Sequence, residues 1–263
     1  MDRREGLEIH PSALVEAGAR LAPGVRIGPY AYIEADVEIG VGTTIGPYAA
    51  LMGPLRLGRG NRIHAHACLG DAPQDTSHAG EPTRLEIGDD NTFREFVTVH
   101  RGTTKGGGVT RIGNANLLMA YSHVGHDCQL GNHIIIANAV NLGGHVSVGD
   151  YANLGGMAAV HQFVRIGRHA MIGGGSILVQ DVPPFMMAAG NHARLHGLNR
   201  RGLLRAGLPL QTRNAIKRAH RILYRSGLRL SDACAQLREL AAEFPEVAHL
   251  LDFMQHSQRG IAR

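Results

Sequence analysis

An aliphatic residue returns at every sixth position along most of this chain. From Ile9 the step of six meets Val15, Leu21, Ile27, Ile33, Ile39, Ile45, Leu51, Leu57, Ile63 and Leu69; it resumes through Ile87, Phe93 and Val99, and again from Ile112 to Leu178. Glycine often follows the aliphatic residue, as at Gly28, Gly40, Gly113 and Gly131, and a small or β-branched residue tends to take the fifth place, as at Ala31, Thr43 and Ala152. Helices repeat every 3.6 residues and strands every 2, so neither alone produces this period. A short strand followed by a turn does, and three such units close a triangular coil of 18 residues with the aliphatic side chains stacked inside. The three runs hold 26 units, nearly nine coils, which predicts a prism roughly 40 Å long at the usual strand spacing.

The period breaks at 71–84 and 101–111, and insertions between coils must loop outward. It ends after Val182-Pro183-Pro184, which divides the chain into a β-prism over 1–190 and an α-helical region over 191–263. In the latter, Ile216, Ala219 and Leu223 share one face of a helix over 208–225. Ser231 is expected to cap a further helix running through Glu243, and Pro245 to open the last one. The main role expected of this tail is to cover an open end of the prism.

Composition fits a repeat better than an ordinary globular core: 35 glycines, no Trp and 5% aromatic residues suggest many tight turns. The net charge is +5, with basic residues denser after residue 192, which suits an acidic partner or a phosphate-bearing ligand. No aromatic residues interleave with those arginines to stack bases, so nucleic acid is not expected. Cys68, Cys128 and Cys234 show neither a disulfide framework nor metal-type spacing. The sequence has no apolar signal core and no transmembrane segment, so a cytoplasmic protein is expected.

Residues 18 apart should lie one above another, about 4.8 Å away. That arithmetic stacks His126, Gly144 and Gln162, then Asp127 with His145, then His123 with Asn141. None of His123, His126, His145 or His161 occupies an inward place of its unit, whereas Cys128 does and reads as core. An imidazole beside a carboxylate, His126 with Asp127, has the makings of a general base held in one tautomer. Gly144 one coil above offers a backbone N–H to a developing oxyanion. This is acyl-transfer geometry, yet the spacing alone leaves open a zinc site collected by His123, His126 and His145 across a subunit boundary, and plain polar surface on a binding solenoid.

Four segments carry a resemblance: QDTSHAGEPTRLEIGDDNTFREFVTVHRGT, NLLMAYSHVGHDCQLGN, GGHVSVGDYANLGGMAAVHQF and QDVPPFMMAAGNHA. They resemble the UDP-N-acetylglucosamine O-acyltransferase family, nearly end to end and including both loops. The resemblance implies a mainly β protein, a left-handed parallel β-helix of hexapeptide repeats with a C-terminal α-helical domain, assembled as a homotrimer with sites at the subunit clefts. It implies transfer of a 3-hydroxyacyl chain from acyl carrier protein to the 3-hydroxyl of UDP-N-acetylglucosamine, the first step of lipid A biosynthesis. No cofactor is implied beyond the phosphopantetheine that carries the donor, and no metal.

By position, the resemblance makes His126 the general base, Asp127 its orienting partner and Gly144 the oxyanion donor. Gln74, Asp75, His100, His123, His145 and Gln162 would line the acceptor side, with His161 and His192 along the donor and nucleotide path, and Asn199 and Arg205 as pantetheine and phosphate contacts. Met171 and Gly174 would form the acyl-chain ruler, and the missing side chain at Gly174 suggests room for a chain longer than ten carbons. Arg194, Arg200, Arg201, Arg205 and Lys217 offer a docking face for an acidic carrier protein. Three positions depart from the family pattern: Ser77 stands where a lysine can occur, with His78 as its candidate replacement, Arg201 where an acidic residue can, and Ala206 where an arginine can.

Overall fold

The computed structural model describes residues 6–263, so the first five residues of the expected 1–190 region lie outside the described residues. Most strands are only two residues long, the first facing outward and the second inward, which is why one aliphatic residue per unit suffices to build the core. They form three sheets of eleven, nine and eight strands. In the first sheet Ile27, Ile45, Ile63, Phe93 and Leu118 stack in register. In the second, Ile33, Leu51, Leu69, Val99, Val124 and Leu142 do so. The third stacks Ile39, Leu57, Ile87, Ile112 and Leu130. All of these side chains are buried, and the chain is a parallel β-helix. Among the described residues the one antiparallel pairing, Met186–Ala189 with Arg194–Leu198, extends the first sheet to Leu198.

The glycines do a different job from the one their abundance suggested. The left-handed corner of most units falls at the fourth place, and residues such as Tyr30, Tyr48, Phe96, Asp127 and His145 occupy it with φ of 57 to 62°. Glycine at the second place is required by crowding between coils. A Cβ on Gly40 would stand 2.5 Å from the Gly58 carbonyl carbon, and one on Gly113 would stand 2.5 Å from the Gly131 oxygen. Turn demand explains the 14 described glycines with positive φ, and close approach of successive backbones explains those such as Gly40 and Gly113 at the second place.

Both insertions leave from the corner between the second and third sheets. They are shorter than the sequence breaks implied, because Arg84–Ile87 and Val109–Ile112 are already strands. Cys68 pairs with Thr98 and Thr98 with His123, 30 and 25 positions apart, so the excursions add 12 and 7 residues to the 18-residue coil.

Five helices follow: α1 (Arg200–Arg205), α2 (Leu210–Arg225), α3 (Leu230–Gln236), α4 (Arg238–Glu243) and α5 (Pro245–Gln255). Ile216 and Ala219 of α2 are buried and Leu223 is partly buried against the same core. Pro245 does open the last helix, where its missing N–H costs nothing. Ser231, however, does not cap a helix running to Glu243. It lies inside α3, and Leu237 separates α3 from α4. The tail closes one end of the prism: Arg165 lies 4.5 Å from the centre of the Phe253 ring, and Ser257 donates to Asp181 at 2.8 Å. At the other end Ile9, Val15 and Leu21 are only partly buried.

Candidate active site

His126 sits in the turn after strand His123–Val124, at the corner from which both insertions depart one and two coils earlier. That shared corner concentrates the chemistry. An open groove of 530 Å³ there is lined by Gln74, His100, His123, His126, Gly144, His161 and Gln162. Seven of the predicted positions are thus brought together, two of them, Gln74 and His100, across insertions that hide their proximity in the sequence.

The His126 Nδ1 is 2.8 Å from Asp127 Oδ2, with side chains 14% and 1% exposed. Asp127 also accepts from the Thr103 N–H at 2.8 Å on Oδ1 and from the Thr103 hydroxyl at 2.7 Å on Oδ2. With both oxygens accepting, the carboxylate draws a proton onto Nδ1 of His126 and leaves the Nε2 lone pair free. Gly144 covers that edge, since a Cβ built on it would stand 2.6 Å from His126 Nε2. The strand ladder on either side uses Gly143 N and His145 N, donating to Val160 O and His126 O, while Gly144 N–H has no partner among the described residues. A base and an unpaired donor therefore lie in the same groove.

The other histidines form a neutral wall. Burial, then the neighbouring His100 and His126, pulls the His123 imidazole down to about 4. Burial also lowers His100, and lowers His145 against the pull of Asp127. The His145 ring stacks on Phe163 at 4.3 Å and meets His126 edge-on at 5.1 Å, which fixes the walls on both sides of the base. Burial pushes the Cys128 thiol up to about 12, in keeping with its place in the core. The ligand atoms of His126, Asp127 and His145 lie within 4.8 Å of one another. His123, the third residue expected for zinc, instead places Nδ1 2.8 Å from Thr98 Oγ1.

Two residues of the second insertion escaped the sequence reading, Thr103 and Lys105. The Lys105 ammonium donates to Ser77 Oγ at 2.7 Å, and Ser77 in turn gives its N–H and hydroxyl to Asp75. Those two bonds, with Lys105 and His126 beyond them, hold Asp75 below the usual carboxylate range. The cation beside Ser77 is thus Lys105 and not His78, which turns into its own loop with Nδ1 2.8 Å from Glu81. An insertion bringing a side chain across from 28 positions away leaves no periodic signal to find.

The remaining predicted residues lie elsewhere in the chain. His192 lines a separate groove of 1280 Å³ at the helical cap, with Arg194, His196 and Arg263, and Val179 borders both grooves. Asn199 caps α1, its oxygen accepting from Gly202 N and its amide donating to His169 O. Arg205 is exposed in the last turn of α1. Met171 belongs to the first sheet and Gly174 to the turn after it, a corner of the prism different from that of His126.

Residues 181–262 match the family described as Udp N-acetylglucosamine O-acyltransferase, Domain 2. The chain is 51% identical over 259 residues to the acyl-[acyl-carrier-protein]--UDP-N-acetylglucosamine O-acyltransferase of Paraburkholderia phymatum, covering 97% of this chain and 99% of that one. Among solved structures it is similar to the UDP-N-acetylglucosamine acyltransferase of Francisella novicida, with a TM-score of 0.95 and 38% identity over 97% of this chain and 94% of that one. It is likewise similar to the UDP-N-acetylglucosamine acyltransferase of Campylobacter jejuni, with a TM-score of 0.91 and 39% identity over 97% and 99% of the two chains.

Proposed function

The chain belongs to the UDP-N-acetylglucosamine O-acyltransferase family, and from that premise we propose how its residues perform the transfer of an acyl chain from acyl carrier protein to UDP-N-acetylglucosamine, the first step of lipid A biosynthesis. The donor is a 3-hydroxyacyl thioester on the carrier's phosphopantetheine, and the acceptor is the 3-hydroxyl of the sugar. His126 Nε2 takes the hydroxyl proton as the oxygen attacks the thioester carbon. Gly144 N–H receives the oxyanion of the tetrahedral intermediate. Collapse breaks the carbon–sulfur bond, and the imidazolium returns its proton to the departing thiolate. Asp127 holds the imidazole in the tautomer this requires. The observation that carries the reading is that Gly144, whose N–H is unpaired among the described residues, lies against the free edge of His126.

Gln74, Asp75, His100, His123, His145 and Gln162 border the acceptor, and His161 lies along the donor path. The assembly is a homotrimer. What supports this is that Met171, Gly174 and His192 stand away from the His126 groove, and a neighbouring copy in parallel brings them to it. Exposed Arg194, Arg200, Arg201, Arg205 and Lys217 receive the acidic carrier protein. The setting is the cytoplasm, where that carrier is found, and no helix of the described residues is long and apolar enough to cross a membrane. Gly174, whose built Cβ would meet the Gly156 backbone at 3.2 Å from O and 3.8 Å from N, carries no side chain of its own, and that supports an acyl chain longer than ten carbons.

The test supplies UDP-N-acetylglucosamine and 3-hydroxyacyl carrier proteins of graded length to the wild type and to His126→Ala, with and without chelator. Chelator-resistant transfer that disappears in the variant is expected. Transfer that the chelator abolishes would assign the work to a metal on His126, Asp127 and His145.

A further inference from the structure

We propose that Thr103 is a positioning residue for the His126–Asp127 pair, the third member of a chain of hydrogen bonds that sets which imidazole nitrogen acts as base; this deepens the acyl-transfer reading and rests on it. The hydroxyl of Thr103 has one proton and two lone pairs. Gly106 N–H donates to Thr103 Oγ1 at 3.2 Å. The hydroxyl proton is thereby left for Asp127 Oδ2 at 2.7 Å, beside the bond from His126 Nδ1 at 2.8 Å to that same oxygen. The Thr103 backbone N–H takes Oδ1 at 2.8 Å, so the carboxylate cannot rotate without breaking both contacts.

The surrounding chain is shaped to this contact. The 3-10 turn Thr104–Gly106 closes over the carboxylate, and a Cβ on Gly106 would stand 2.0 Å from Asp127 Cγ. One on Gly102 would stand 2.8 Å from Oδ1. From below, Thr110 Oγ1 accepts from Asp127 N at 2.7 Å. The titratable groups against Asp127 are His126 on its own turn at 2.8 Å, His145 on the next coil at 3.7 Å, and the buried Cys128 thiol that follows it. The insertion thus supplies part of the catalytic geometry as well as a rim.

Removing the hydroxyl takes one donor from Asp127 Oδ2 and leaves the carboxylate held by the Thr103 N–H and His126 alone, so the imidazole loses part of its fixed orientation. Thr103→Val is expected to lower kcat about tenfold with KM little changed, while Thr103→Ser restores it. In an Asp127→Ala background the valine substitution is expected to change kcat less than about twofold, since residues acting as one unit are not additive. Thr103→Ala serves if valine distorts the loop, with melting curves run for every variant. Independently of turnover, the NMR resonance of the His126 Nδ1 proton is expected to shift and to exchange faster in Thr103→Val. An unmoved resonance, or an equal loss with and without Asp127, overturns the proposal. Absence of transfer by the wild type with that resonance intact overturns the acyl-transfer reading and leaves the hydrogen-bond chain standing.

Discussion

Gly144 lies directly over the imidazole of His126, so closely that a Cβ on it would stand 2.5 Å from Cε1 and 2.6 Å from Nε2. The position serves two ends, because the absent side chain lets substrate reach the base and the N–H, unpaired among the described residues, is free to receive an oxyanion. Gly144→Ala is expected to lower kcat by about 100-fold, in the range seen when an oxyanion donor is displaced. The melting temperature is expected to fall, because the methyl meets a ring that Asp127 and His145 hold in place. Steady-state kinetics alongside a melting curve checks it, and near-wild-type kcat would show that substrate does not need the space over the imidazole.

Lys105 stands in for a cation that the first insertion lacks. Its ammonium reaches Ser77 Oγ, which holds Asp75 at the edge of the groove. Lys105→Ala is expected to raise KM for the sugar nucleotide about five- to tenfold with kcat within about threefold, the scale of a partly exposed charge contact. Adding Ser77→Lys to that variant should recover most of the loss, because the charge returns to the same place from the other loop. Titrating the acceptor at saturating donor measures both, and failure of the second change to rescue would place the role of Lys105 elsewhere.

Legibility in the sequence tracked regularity in the chain. Where the coil keeps its 18 residues, counting alone placed Gly144 over His126 and His145 beside Asp127. Where an insertion intervenes, the offset becomes 25, and the edge-on packing of His100 against His123 at 5.0 Å had no arithmetic to reveal it. Thr103 and Lys105 lie in the excursion itself, where position depends on loop geometry. The buried asparagines at the fifth place, Asn61, Asn91 and Asn116, were equally hidden among small and β-branched neighbours. Each passes its side-chain oxygen to the backbone N–H of the next coil, so three polar groups sit in the core at little cost. In the tail, propensity located helices but not the break at Leu237, which the packing of α3 and α4 decides.

Acid should loosen the site before it loosens the rest of the prism. The folded-state pKa of His123 is lowered to about 4 by burial and by its histidine neighbours, whereas an unfolded histidine titrates near 6.5. The unfolded chain therefore binds the extra proton first. Stability from the neutral, buried ring is fully present above about pH 6.5 and is lost as pH falls toward 4. His100 and His145, both lowered, add in the same direction. Comparing denaturant midpoints of wild type and His123→Gln across that window isolates the term, since the carboxylates contribute equally to both. The gap between the two should narrow on acidification, and a constant gap would mean that His123 charges freely in the folded state.

The roles of glycine in the coil predict a reversal of the usual tolerance. Gly42 has φ +68°, yet nothing lies within 4 Å of a Cβ built there. The same place of the third sheet's corner holds Asp90, His133 and Tyr151 in later coils at φ of 56 to 59°. Gly40, two residues earlier, has ordinary backbone, but its Cβ would stand 2.5 Å from the Gly58 carbonyl carbon and 2.6 Å from Arg59 N. Gly42→Asn meets only the intrinsic left-handed cost, about 1 kcal/mol, eased by asparagine's preference for that region. Gly40→Ala forces two coils apart at a place where neither backbone can yield alone, and overpacking of this kind costs about 1–3 kcal/mol or more. Denaturant unfolding of the two variants is expected to rank Gly40→Ala well below Gly42→Asn. The opposite order would mean that the coils separate readily, and that the glycine at the second place is kept for its backbone freedom after all.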